Sequence, residues 1–293
     1  MYRPLAILCF LTLLAAGGAK AQASMESDAA AFQNVPELMD GFNLLYVQKF
    51  SEGRGKFDTW AAQHPDDPFG PVAQAASYLF EELYRQDVLS SEFFLDDNKF
   101  LKGIKGKPDP ERMKNFLDAT ARARELAKNR IKTNPKDQEG LYALTLAAGM
   151  ESDADSILEK KAMDGLKRMK EANAHAKVLL AERPDAADAY VALGIANYTI
   201  GSLSAGFRAL LWFGGVHGDK KLGMEQVAKS AENGRYLKPF GKIMLALAAR
   251  REKQNALAQK LLRELSEEFP ESPLYAAEYA KAMGRPIPAE IRP

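Results

Sequence analysis

The side chains able to do chemistry are few in this chain and do not gather. His64, His175 and His217 are the three histidines. No two share the spacing of metal ligands on a helix, and no H-E-x-x-H run occurs. They read as structural histidines. The lone cysteine, Cys9, lies in an N-terminal apolar run, and no G-x-S-x-G elbow offers a serine nucleophile. Gly214-Gly215-Val216-His217-Gly218-Asp219-Lys220-Lys221 has the glycines of a phosphate-binding loop. However, Asp219 stands where a lysine should follow the glycine, and no Ser or Thr comes next. It reads as a turn between helices, with Asp219 near the next N-terminus. Asp153, Asp155 and Asp164 take the first, third and twelfth places of a calcium loop, but Leu158 occupies the obligatory glycine position. The simpler expectation is a helix from Ser156 to Ala181 capped by Ser152 or Asp153. Asp96-Asp97-Asn98 and Asp66-Asp67 are read as turn and cap residues. Catalytic, cofactor-binding and metal-binding residues are all expected to be none.

These residues must be positioned by helices. Arg3, the apolar run Leu5 to Ala16 and the small-x-small pattern Ala19-Lys20-Ala21 predict a signal peptide over 1–21, with cleavage after Ala23 a close second. An exported protein, periplasmic or extracellular, follows as an expectation. Without Cys9 it would carry no disulfide into an oxidising compartment and would depend on core burial. The chain has 40 basic and 39 acidic residues. Loss of Arg3 and Lys20 leaves 38 against 39, which favours neither nucleic acid nor an anionic membrane as partner. The remaining chain is rich in Ala, Leu, Lys and Glu, with apolar residues recurring three and four apart and no alternating strand pattern. The predicted class is all-α. A disordered segment is expected over 22–31, a helical domain over 32–283 and an extended tail over 284–293.

Four junctions repeat one pattern, in which an amphipathic helix closes on a proline and a second helix opens with aromatic and small residues. The prolines are Pro65, Pro135, Pro184 and Pro270. Proline ends a helix because it lacks an N–H and clashes with the preceding turn. Asp66, Asp185 and Ser272 are expected to cap the helices that follow.

These junctions resemble the tetratricopeptide repeat. Tyr190-x2-Leu193-Gly194-x2-Asn197-Tyr198 is similar to its first helix, with the last aromatic one place late. Leu245-Ala246, Ala258-x3-Leu262 and Pro270 resemble the whole unit, with Lys253-Gln254-Asn255 at the turn. Gly53-x3-Phe57 and Pro65 match the second half again. Gly206 to Gly234 is also similar, more weakly, to a loop of the eukaryotic mitochondrial outer-membrane tetratricopeptide family. The prolines are 70, 49 and 86 residues apart, far from a regular repeat, and Ser90 to Pro110 reads as an insertion. The resemblance implies an irregular α-solenoid of antiparallel helix pairs.

Such a solenoid would bind through its concave groove. Spacing from the prolines places Phe69, Val72, Ala76, Glu139, Tyr142, Leu146, Asp188, Val191, Ile195, Phe240, Ile243 and Leu247 there. This lining is apolar and lacks the paired Lys, Arg and Asn of a carboxylate clamp. It would either hold an apolar peptide or be filled by the protein's own insertions, the second being preferred. The function expected is a non-enzymatic scaffold or adaptor binding a protein or peptide of the cell envelope. A peripheral membrane protein using the apolar helix 205–216 is the first alternative. That stretch is nevertheless read in preference as a core helix, since Arg208 alone gives it little attraction for lipid. A helical hydrolase with two carboxylates across a cleft is the second alternative, and nothing in the sequence marks which two.

Overall fold

Short polar side chains and prolines start most of the helices, and residues in left-handed conformation stop several. In the computed structural model, residues 30–96, 99 and 102–287 are described. The expected signal peptide, positions 22–29 and positions 288–293 of the expected tail lie outside them. Among the described residues the protein is all-α, with no strand and with thirteen α-helices. They are α1 Pro36–Tyr46, α2 Phe50–Gln63, α3 Phe69–Arg85, α4 Ser91–Leu95, α5 Pro110–Thr133, α6 Gln138–Asp153 and α7 Ala162–Glu182. Then follow α8 Tyr190–Ser202, α9 Ala205–Phe213, α10 Lys220–Asn233, α11 Lys238–Arg251, α12 Asn255–Glu268 and α13 Pro273–Ala282.

Free N–H groups at helix starts are met by Asp109 (to Arg112 N, 2.8 Å), Asp137 (to Gly140 N, 2.8 Å), Asp219 (to Leu222 N, 2.8 Å) and Ser272 (to Tyr275 N, 3.4 Å). Two expected caps differ. Asp67, not Asp66, accepts from Phe69 N at 2.8 Å, and Asp185 pairs with Arg183 at 3.1 Å instead of capping. Gln48, Asp87, Lys160 and Lys253 take positive φ at the turns.

The predicted helix Ser156 to Ala181 is also corrected. The chain leaves α6 through a π-turn, Ala154–Leu158, and α7 starts only at Ala162. Ser152 therefore caps nothing; its Oγ donates to the Gly165 carbonyl at 2.9 Å.

Helices adjacent in sequence pack on one another through most of the chain, and α6 also touches α3. At the α8–α10 crossing, Gly194 permits the approach. A Cβ there would lie 2.5 Å from Val227 Cγ2 and 2.9 Å from the Gly223 carbonyl. α6 is buried nearly all round, as a helix enclosed by others must be.

The N-terminal segment seats itself against residues about two hundred positions away. Ala30 and Ala31, expected in the disordered segment, form a buried 3-10 turn with Phe32. Tyr236 Oη lies 2.9 Å from the Ala30 carbonyl and 2.6 Å from that of Gln33, and Tyr46 Oη donates to the Tyr236 carbonyl at 2.7 Å. Phe32, Phe42, Phe69, Tyr142 and Tyr236 form one aromatic cluster, with ring centroids 4.8–6.2 Å apart.

Candidate functional site

The twelve positions placed in a groove by spacing are carried by α3, α6, the turn before α8, α8 itself and α11. The structure does bring them together, but inside the body. Phe69, Val72, Ala76, Glu139, Tyr142, Leu146, Asp188, Val191, Ile243 and Leu247 are buried, while Ile195 and Phe240 are half-buried. Phe32 and Phe42 of the N-terminal segment lie against Tyr142 and Phe69. The burial of this apolar surface is what holds the first helices to the rest.

Asp188 has become an internal cap. Its carboxylate accepts from Tyr142 Oη at 3.1 Å and from the N–H groups of Arg235 (2.8 Å), Tyr236 (3.0 Å) and Leu237 (3.2 Å). Those N–H groups lead into α11, whose positive end favours a carboxylate. Burial raises the Asp188 pKa, and the four donors oppose that rise.

Val72, Leu146, Val191, Ile195 and Phe240 share a different fate. They line a partly open cavity of ≈ 80 Å³ between α3, α6, α7 and α8. A second cavity of ≈ 180 Å³ adjoins it and reaches Leu203, just before α9. Leu83, Ser152, Asp153, Met169, Ile195 and Phe240 belong to the walls of both.

Other titratable groups among the described residues are paired locally. Glu139 is hydrogen-bonded to Asp67, and burial with this acidic neighbour raises its pKa. Two carboxyls that share a hydrogen bond are far closer than the roughly 5–9.5 Å separation used in glycoside hydrolysis. Asp67 is further committed to Trp60 Nε1 at 3.0 Å, and Glu139 to Arg130 at 2.6 Å. His64 stacks on Trp60 with centroids 3.6 Å apart, and His175 stands 3.9 Å from Glu171. His217 lies 6.0 Å from the Trp212 ring. The would-be calcium ligands diverge: Asp155 and Asp164 line a surface cleft with Lys161, Lys167 and Arg168, and the half-buried Asp153 lines the cavity instead.

The surface feature that stands out is α9. Reading Ala205–Phe213 as a core helix is overturned, because none of its residues is buried. Phe207 is 65% exposed, Leu210 67%, Trp212 61% and Phe213 83%. Its ends are held by Arg208, which donates to the carbonyls of Gly201 (3.0 Å) and Leu203 (3.2 Å), and by Lys170, which donates to Gly214 O at 3.1 Å. Sequence showed the hydrophobicity of this helix. It did not show that α10 packs on α8 directly and so leaves α9 outside the body.

No protein family, curated protein or solved structure matches the chain.

Proposed function

We propose that the protein is a non-catalytic peripheral membrane component that inserts α9 into the interfacial layer of a lipid bilayer. The observation that carries this reading is the exposure, 61–83%, of Phe207, Leu210, Trp212 and Phe213 on one nine-residue helix. A soluble body rarely leaves such a patch bare, and Trp and Phe favour the membrane interface. Charge supports lipid as the occupant. Residues 203–218 contain no acidic side chain, Arg208 lies within the helix, and the fold adds Lys170 beside its C-terminal end. No described helix is long and apolar enough to cross a membrane.

The body behind α9 is read as an irregular solenoid of tetratricopeptide-like helix pairs. Its support is the packing of sequential helices and the close Gly194 crossing. An adaptor role for that body in the cell envelope is part of the proposal, with α9 fixing it to the membrane. The test is flotation with vesicles containing zwitterionic and anionic lipid. Wild type floats with them. Trp212→Asp combined with Phe213→Asp stays behind with an unchanged circular dichroism spectrum. A variant that floats equally well, or a wild type that does not float, overturns the reading.

A further inference from the structure

The joined cavities contain one group that the fold does not explain. Asp153 ends α6 at the π-turn Ala154–Leu158 and lies in the wall common to both cavities. It is half-buried there, and the desolvation pushes its pKa up to about 7. Among the described residues, no hydrogen bond or ion pair reaches its carboxylate. Besides Ser156 and Thr199, the other polar side chains lining these cavities are already engaged. Thr145 Oγ1 donates to Leu141 O at 2.8 Å, Ser152 Oγ to Gly165 O at 2.9 Å, and Tyr198 Oη to Glu252 at 3.1 Å. The remaining lining is chiefly aliphatic, aromatic and methionine, with Met150, Met169, Met224 and Met244 able to adapt to an irregular shape.

We propose that these cavities form a binding site for a small apolar amine, whose ammonium group pairs with the Asp153 carboxylate while its hydrocarbon part lies among the surrounding side chains. Unpartnered carboxylates are costly inside a protein and are usually paired or removed. A ligand cation would supply the missing partner, and the adjoining apolar space would accept a chain. Pockets of this kind, apolar with one placed polar group, are the usual form of small-molecule sites. Tyr198 is the other ionisable side chain of the cavity wall, and its link to Glu252 turns it away from this role. Asp155, Lys161, Asp164, Arg168 and Glu171 belong to the separate surface cleft.

The test uses n-octylamine and n-octanol, matched in chain and different in head group, titrated calorimetrically at pH 8. It is done in the Trp212→Asp/Phe213→Asp background, so that α9 does not contribute and failure of membrane binding is a separate result. The amine is expected to bind at least tenfold more tightly than the alcohol. Asp153→Asn removes that preference and leaves octanol binding within about threefold. Lowering the pH to 5 weakens the amine and spares the alcohol, since Asp153 is then protonated. Ala192→Phe, which fills the smaller cavity, weakens both. Equal binding of the two probes, no binding of either, or an amine preference that survives Asp153→Asn overturns the proposal. The Asp153→Asn comparison decides the matter even if Ala192→Phe fails to fold.

Discussion

Two aspartates of the same helical body, Asp188 buried and Asp153 half-buried, meet opposite conditions. Asp188 is surrounded by donors from Tyr142, Arg235, Tyr236 and Leu237, whereas Asp153 faces cavity space with none. Burial raises both carboxyl groups, but only at Asp188 is that rise opposed by hydrogen bonds. The first carboxylate therefore organises structure, joining α6 to the start of α11. The second lowers the stability of the ligand-free protein. One substitution, Asp to Asn, should consequently have opposite signs at the two places.

The larger effect is expected at Asp188→Asn. The amide keeps one acceptor oxygen but turns an NH2 group toward either Tyr236 N–H or Arg235 N–H. Loss of charge-assisted bonds and a buried donor left unpaired should cost roughly 3–5 kcal/mol in urea denaturation. A loss under about 1 kcal/mol would mean that the four bonds do not hold α11 as argued.

Asp153→Asn should act in the other direction, and its size should depend on pH. A folded pKa of about 7, above the ordinary 3.8, means that the folded state holds a proton the unfolded chain has released between those values. The contribution is fully present below about pH 4 and is lost as pH rises through 7. Wild type should thus lose stability from pH 4 to 8, by an amount on the order of 2–4 kcal/mol. The Asn variant should lack this part of the slope and be the more stable protein at pH 8. Thermal unfolding of both across that range measures it. Parallel curves would show that Asp153 has a partner or reaches bulk water.

This contrast marks the limit of what was legible in the sequence. Helix class, the breaks at Pro65, Pro135, Pro184 and Pro270, and the caps Asp219 and Ser272 depend on neighbours within a few residues, and local chemistry reveals them. The positions spaced along α3, α6, α8 and α11 do converge, because helical periodicity fixes which side chains share a face. What they converge on is set by contacts across about two hundred residues, as between Tyr236 and Ala30, and no local pattern encodes those. Asp153 was visible only as part of a failed calcium loop or as a helix cap. Its surroundings depend on the π-turn and on cavity walls from seven other helices. For α9 the composition was plain, but hydrophobicity is the same signal for a core helix and for an exposed one.

A smaller effect should appear where the N-terminal segment is pinned. Tyr236→Phe leaves the ring in its aromatic cluster and removes the hydroxyl between the Ala30 and Gln33 carbonyls. About 1–2 kcal/mol of stability should be lost. Amide exchange over residues 30–46 should speed up more than exchange in α6. Uniform acceleration throughout the chain would instead show that this segment and the body unfold as one unit.

The smallest effect on folding belongs to α9, which separates interaction from stability most cleanly. Phe207, Leu210, Trp212 and Phe213 gain little from the folded body because they remain largely in water. Replacing Trp212 and Phe213 with Asp should therefore shift unfolding by no more than about 0.5 kcal/mol. The same change should abolish vesicle flotation, because the groups removed are those that would leave water on insertion. A large destabilisation would show that these rings are covered within the folded protein in solution. The outcome expected is a stable, soluble variant that no longer binds lipid. Its cavity should still distinguish octylamine from octanol, since Asp153 and α9 act on different partners.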